Sequence, residues 1–272
     1  EIVVRDWSSD VCSSDLARLT ESFNEMLKSL QESRERQSQL VADAGHELKT
    51  PLTSLRTNIE LLMMASKNPS DTITPDDIAD LEHDVMSQLE ELTNLVTDLV
   101  DLAREDSQHS VVEPIDLGEI LDGVIDRVRR RRLDIKFTFN LIDWYLMGDQ
   151  RGLSRAFLNV LDNAAKWSPE NGTVTMTMQQ IDDDRVEITV DDEGPGIPAD
   201  ERELVFERFY RSVESRAMPG SGLGLAIVKQ VMESHGGSVR AEESPRGGTR
   251  MVLELPGGPQ ITSNNNEAMR IS

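Results

Sequence analysis

Two apolar stripes at helical spacing, separated by one short break, constrain the first hundred residues more than any other feature. Leu40, Ala44, Leu48, Leu52, Leu55, Ile59 and Leu62 recur every three or four positions, and so do Ile78, Leu81, Val85, Leu89, Leu92, Val96, Leu99 and Leu102. That recurrence follows the turn of an α-helix and puts an apolar seam on one face of each segment. Between them, Asn68-Pro69-Ser70-Asp71 and Thr74-Pro75 punctuate a turn. Thr74 is suited to cap the second helix, with Pro75 at its first position. A hairpin of two such helices leaves apolar surface uncovered, and pairing two copies as a four-helix bundle covers it. The spacing predicts a homodimer through residues 31–105. The competing arrangement is coverage of the seam by the second half of the same chain.

The first helix carries Ala42-Asp43-Ala44-Gly45-His46-Glu47-Leu48-Lys49-Thr50-Pro51-Leu52. At about 100° per residue, His46 points roughly 160° away from the centre of the stripe. The histidine therefore faces out while its neighbours face in. Thr50 sits one turn on, near the same face, and Glu47 is adjacent in sequence. Pro51 has no N–H to offer the carbonyl of Glu47, so a kink or an unpartnered carbonyl is expected beside the histidine. Taken alone, an outward histidine is also what any solvated helix presents.

From Ile115 the pattern changes. Ile120, Val124, Ile125 and Val128 keep helical spacing, whereas Ile135, Phe137, Phe139 and Leu141 alternate as a strand. Val174, Met176 and Met178 alternate, as do Val186, Ile188 and Val190, and Met251, Leu253 and Leu255 make a last strand expected to pair with Ser238–Glu242. Interleaved helices and strands predict an α/β sandwich. Within it, a helix from about Gln150 to Trp167 buries Leu153, Phe157, Val160, Leu161 and Ala164. Asn159, Asn163 and Lys166 line its opposite face. Asparagine carbonyl oxygens are ligands for Mg²⁺, and a lysine meets phosphate oxygens, although such a row also fits a plain solvated face. After the strand ending at Val190, Asp192-Glu193-Gly194-Pro195-Gly196 offers a carboxylate for an adenine amino group and glycines that let backbone approach the ring. Arg208 and Arg211 are within one short segment, Phe206 to Arg211, whose aromatics also fit a core cluster. Gly220-Ser221-Gly222-Leu223-Gly224-Leu225 opens a helix, presenting backbone N–H groups and a positive dipole end to phosphate. No Gly-Lys-Ser/Thr follows, so it is not a Walker A loop. Residues 199–221, without a strong period, read as a mobile lid.

These segments together resemble sensor histidine kinases of two-component systems. His46-Glu47-Leu48-Lys49-Thr50-Pro51 resembles their phosphoacceptor box, Leu158 to Lys166 the N box, Phe206 to Arg211 the F box, and Gly248-Thr249 the terminal glycine box. Trp167 stands where the family more often has tyrosine. Leu19-Thr20-Glu21-Ser22-Phe23-Asn24-Glu25-Met26-Leu27 resembles the last helix of a HAMP linker. The text from Val41 to Ala65 and from Phe206 to Gly237 is similar to the MprB-type envelope-stress kinases of actinobacteria.

The resemblance implies an α+β chain. A helical-hairpin dimerisation domain, a four-helix bundle in the dimer, is followed by an ATP-binding α/β sandwich of the GHKL type. It implies ATP and Mg²⁺, His46 as phosphate acceptor with Glu47 fixing its tautomer, and Thr50 aligning water for dephosphorylation of a cognate response regulator. It implies a nucleotide site of Asn159, Asn163, Lys166, Asp192, Gly194, Gly196, Arg208, Arg211, Gly220, Gly222, Leu223, Gly224 and Thr249, with Asn159 and Asn163 on the metal. Two other classes share parts of this pattern. Another ATPase of the same nucleotide fold would carry a catalytic carboxylate just before its asparagine and lack the histidine hairpin. A non-catalytic dimeric scaffold would bind nucleotide without turnover.

Composition narrows the partners. A formal net charge of −22 over 272 residues opposes direct nucleic-acid binding. The run Arg127, Arg129, Arg130, Arg131, Arg132 reads as a solvated helix end. The single cysteine, Cys12, excludes an internal disulfide and a cysteine metal cluster. No apolar run of about 18 residues is present, and no signal peptide. The expectation is a soluble, cytoplasmic portion of a cell-membrane sensor, tied to membrane only through preceding transmembrane segments. Residues 1–15 repeat Trp-Ser-Ser-Asp as Cys-Ser-Ser-Asp and read as a foreign or disordered leader. The expected order is then the end of a HAMP helix (16–35), the dimerisation and phosphotransfer domain (36–105), a linker (106–114), the ATP-binding domain (115–256) and a disordered tail (257–272).

Overall fold

The computed structural model describes residues 10–67, 74–105, 112–212, 218 and 220–260. It divides into two compact units, residues 1–85 and residues 86–272. The expected leader before residue 10 and the tail after residue 260 lie outside the described residues.

The first unit is built from helix α1 (Asp10–Lys67) and the start of helix α2 (Pro75–Glu105). Pro51 stands inside α1, which runs without interruption from the stretch expected to be a HAMP helix through the His46 segment. Its first residues, Asp10 to Asp15, fall in the stretch expected as a disordered leader, and the structure instead makes them helical. Extending an existing helix adds one hydrogen bond per residue fixed, so a polar run without its own period follows the helix beyond it. Helix α2 starts on a reciprocal cap, as expected for Thr74. The Asp77 N–H donates to Thr74 Oγ1 at 3.2 Å, and the Thr74 N–H donates to the Asp77 carboxylate at 2.7 Å. The Thr74 N–H and then its hydroxyl, both donating to the Asp77 carboxyl, hold it below its ordinary range. Of the first stripe, Leu55 is buried and Ala44, Leu48 and Leu62 are half-buried. Leu52 remains 52% exposed and Ile59 41%. No described helix is long and apolar enough to cross a membrane.

The second unit begins within α2 and continues as a layered α/β domain. In chain order it adds β1 (Glu113–Asp116), α3 (Leu117–Arg131), β2 (Lys136–Asn140), β3 (Tyr145–Gly148), α4 (Gln150–Trp167), β4 (Thr173–Asp182) and β5 (Arg185–Asp191). A 3-10 turn at Leu204–Phe206 precedes α5 (Gly224–Ser234), β6 (Ser238–Glu243) and β7 (Thr249–Pro256). Asp116 caps α3 by accepting from the Gly118 N–H at 2.9 Å, and Asp149 caps α4 by accepting from the Arg151 N–H at 2.9 Å. The main sheet has the order β2-β4-β5-β7-β6, parallel only between β2 and β4. A parallel pair needs a crossover, and α4 supplies it.

The alternation predicted for β4, β5 and β7 points Val174, Met176, Met178, Val186, Ile188, Val190, Met251, Leu253 and Leu255 into the core. There they join Leu153, Phe157, Val160, Leu161 and Ala164 of α4, all buried. Helices α3 and α5 pack beside α4, which makes the second layer. The arginine run at the end of α3 is engaged. Arg131 pairs with Asp162 at 3.0 Å, Arg132 with Asp134 at 2.8 Å, and Arg129 lies over the Phe139 ring at 5.0 Å. Cations at a helix C-terminus also suit its dipole.

One element went unread in the sequence. Strands β1 and β3 form a separate antiparallel pair, and β1 starts at Glu113, inside the expected linker. Four-residue strands carry too few alternations to show a period, and Pro114 in β1 lacks the donor that a central strand needs.

Candidate functional site

Helix α4 sets the site. Its apolar face fixes its rotation on the sheet, so Asn159, Asn163 and Lys166 are presented together on the side of a cleft of about 1290 Å³. Asn159 Nδ2 donates to the Gly224 carbonyl at 3.2 Å, and Trp167 Nε1 donates to Asn163 Oδ1 at 3.1 Å. The first bond assigns the Asn159 amide, leaving its oxygen as the acceptor. The second leaves Asn163 Oδ1 one lone pair, since a carbonyl oxygen has two. Lys166 lies 5.3 Å from the centre of the Trp167 ring. Burial, then the nearby Arg211 guanidinium, pushes the Lys166 ammonium below its ordinary value, and Glu91 opposes them. An ammonium in that setting gains from an arriving anion.

Opposite α4, β5 ends at a buried carboxylate. Asp192 Oδ1 accepts from the Gly194 N–H at 2.9 Å and from the Thr249 N–H at 2.8 Å. Burial nonetheless raises the Asp192 carboxyl above its ordinary range, with those hydrogen bonds pulling the other way. Gly248 is required here by close approach. A Cβ on it would stand 2.2 Å from the Asp192 carbonyl oxygen and 2.5 Å from Oδ1.

The glycine-rich loop closes the third side. Gly222 has φ +69°, and a Cβ there would stand 3.0 Å from the Phe209 backbone, so the turn demands glycine. The Phe209 N–H donates to the Gly222 carbonyl at 3.0 Å, tying the segment that follows the 3-10 turn to this loop. Arg211 donates to the Met218 carbonyl across the lid. Lid residues 213–217 and 219 lie outside the described residues.

The expected site residues therefore fall into groups. Asn159, Asn163, Lys166, Gly196, Arg211, Gly220, Gly222, Gly224 and Thr249 all line the one cleft. Asp192 and Gly194 support it from behind Thr249. Leu223 is fully buried, so its side chain belongs to the core and only its backbone, at the N-cap of α5, faces the loop. Arg208 is half-exposed and outside the lining. Residues 208 and 209 lie in a turn and Phe209 has φ +62°, so a motif match does not say which way the Arg208 side chain points. His46, Glu47 and Thr50 are exposed on α1 in the other unit. Ile197, Pro198, Val205 and Tyr210 also line the cleft and were not anticipated, because scattered apolar residues on irregular backbone carry no period. Among the described residues no group of three or more histidine, cysteine and carboxylate side chains could hold a metal.

Residues 36–108 match the family model described as the His Kinase A (phospho-acceptor) domain, and residues 148–259 that of the histidine kinase-, DNA gyrase B- and HSP90-like ATPase. The chain is 58% identical over 256 residues to the signal transduction histidine-protein kinase/phosphatase MprB of Mycobacterium leprae. The match covers 92% of this chain and 49% of that protein. The chain thus spans about half the length of the curated relatives it matches. Among solved structures, the mycobacterial sensor histidine kinase MprB aligns at 52% identity with TM-score 0.52, over 55% of this chain and all of that one. Full-length ShkA in complex with AMPPNP aligns at 26% identity and TM-score 0.56, over 82% of this chain and 47% of that one.

Proposed function

The chain belongs to the sensor histidine kinase family, and on that footing we propose that it transfers the γ-phosphoryl group of ATP to His46 and then to an aspartate of a response regulator. The observation carrying this reading is the cleft in which Asn159, Asn163, Lys166 and the Gly220–Gly224 loop meet, taken together with the exposure of His46 on α1. The cleft has what a nucleotide needs: amide N–H groups and an ammonium for phosphates, and a buried carboxylate with close backbone for a purine. The AMPPNP held by ShkA supports a nucleotide as its occupant.

Mg²⁺, when bound, supplies charge neutralisation on the phosphates, and the Asn159 and Asn163 carbonyl oxygens are the residues that fit it. The neutral His46 imidazole attacks phosphorus. An N–P bond forms, the bond to the bridging β,γ-oxygen breaks, ADP leaves, and the ring gives up its N–H proton. Glu47 fixes the tautomer by accepting from the other ring nitrogen. Lys166 and Arg211 offset charge on the departing phosphate, so positioning and electrostatics carry the rate. Thr50, one turn beyond His46, aligns the water that hydrolyses the regulator's aspartyl phosphate.

The exposed Leu52, Ile59, Met63 and Met64 on α1 support dimerisation through the helices. A HAMP segment at 16–35 and membrane-spanning segments before it belong to the same reading. The test is incubation with γ-labelled ATP and Mg²⁺. The parent protein is expected to take up acid-labile, base-stable label, and His46→Gln none. Label of that kind on the Gln variant overturns the assignment of His46. Free phosphate without labelled protein identifies an ATPase instead.

A further inference from the structure

The stretch of α2 within the second unit, from Met86 onward, carries Glu91, Asn94 and Asp98 at spacings of three and four, on one face of the helix. All three line the cleft. The Gly220 N–H donates to Glu91 Oε1 at 2.9 Å. Ser221 Oγ donates to Asp98 Oδ2 at 2.9 Å and itself accepts from the Leu223 N–H at 3.2 Å. The other oxygen of Asp98, Oδ1, takes Arg155 of α4 at 2.5 Å, with the two side chains only 14% and 20% exposed. These carboxylates thus engage the amide and hydroxyl donors of the loop read above as the phosphate cradle. Lys166 stands at the same place, its Nζ 3.2 Å from where a Cβ on Gly220 would lie.

We propose that Glu91 and Asp98 act as a displaceable acidic clamp that occupies the phosphate-binding loop, so that nucleotide entry and the docking of α2 on that loop exclude each other. The clamp rests on the reading of the cleft as a nucleotide site. A carboxylate accepting a backbone N–H uses the same donor that a phosphate oxygen uses, and the Gly220 amide has one hydrogen to give. Two carboxylates beside a polyanion also repel it, so the nucleotide does not simply add to the contact. Linkage then works both ways. Whatever withdraws α2 raises nucleotide affinity, and nucleotide releases α2 by the same factor. A signal that moves the helix is converted into loop availability without altering any residue that touches nucleotide. The contacts span about 120 positions of sequence, as 220 and 221 against 91 and 98, which is why no local pattern announces them.

The test is calorimetric titration of the whole chain with Mg²⁺–ADP. Glu91→Gln/Asp98→Asn keeps side-chain volume and removes both charges. It is expected to bind ADP at least about tenfold more tightly than the parent, while Asp84→Asn, on the same helix, binds as the parent does. A folded double variant with the parent's Kd overturns the clamp and leaves the nucleotide site standing. Failure of parent and variant alike to bind ADP overturns both. Because Asp98→Asn takes the carboxylate from Arg155 and so bears on folding as well, a second measurement needs no substitution. Saturating ADP should speed amide exchange in residues 86–105 of the parent protein while slowing it at 220–224. Protection of 86–105 that is unchanged on ADP binding overturns the clamp.

Discussion

The sheet domain and the helix α1 solve the problem of apolar surface in opposite ways. In the domain, nine alternating residues of β4, β5 and β7 face the layer of α4 and α5, and all are buried within one chain. On α1, Leu52 and Ile59 of the stripe stay exposed, and Val41, Leu52, Met63 and Met64 are each more than half exposed. A long sheet has two broad faces and recruits helices to one of them. A long helix has a narrow seam and recruits another helix, whether its own or that of a second copy. The difference teaches where precision is needed. The domain must place a dozen groups around one cleft, and its packing is closed. On the proposed function the helix has one imidazole to present outward, and its exposed apolar residues are left for a second copy to cover.

The sharpest way to break this comparison is the same substitution in both regions. Gly248→Ala puts a Cβ 2.2 Å from the Asp192 carbonyl oxygen, in a strand entrance that has no room to give. A loss of about 3 kcal/mol is expected, with the nucleotide site disrupted, since overpacking a closed core forces backbone shifts. Gly45→Ala meets nothing within 4 Å. There the expected change is a gain of about 0.5–1 kcal/mol in helix stability, because alanine loses less entropy in a helix interior. Thermal unfolding of the two variants checks both signs. Equal effects would mean that α1 beside His46 is as tightly enclosed as the sheet.

Next in size is the interface that would complete the stripe. Leu52→Glu removes about 2 kcal/mol of burial from each copy, and two copies meet in a dimer. The dissociation constant should rise more than hundredfold by that reckoning, measured by sedimentation at several concentrations. The sheet domain's core is untouched by the change, so its unfolding temperature should hold. If Leu52→Glu leaves the assembly unchanged, the exposed seam is not the dimer contact.

The same contrast governs what was legible in the sequence. Strong periods survive into structure, so both helices, the β4, β5 and β7 strands and the α4 polar row stood out from spacing, and Thr74 stood out as a cap from its residue type before Pro75. What failed to show was short or distant. Strands β1 and β3 are four residues each, and Trp144, fully buried beside them, had no periodic partners. The helical state of Asp10 to Asp15 follows from propagation rather than from any pattern of their own. Arg208 was grouped with Arg211 because motif spacing does not say which side of an irregular segment a side chain takes. The contacts of Glu91 and Asp98 join parts of the chain that no window spans.

The smallest expected effect on the fold is also the most specific to the site. Asp192 has its carboxyl raised by burial, against the pull of the Gly194 and Thr249 amides. The sign follows from linkage. A carboxyl raised on folding holds its proton more tightly in the native state, so its contribution favours the fold at low pH. That contribution is lost as pH rises through the native value, which lies above 3.8. Asp192→Asn has no charge to desolvate, and its Oδ1 still accepts from both amides. The variant should therefore match or exceed the parent in unfolding temperature at pH 7, with its relative advantage shrinking as pH falls toward 4. On the proposed purine contact, nucleotide binding should weaken most at high pH, where the parent offers a carboxylate, and the difference should narrow as pH falls. An Asn variant that is less stable at pH 7 than at pH 4, relative to the parent, would show that the charged Asp192 is a net support of the sheet's edge and that its burial is more than offset.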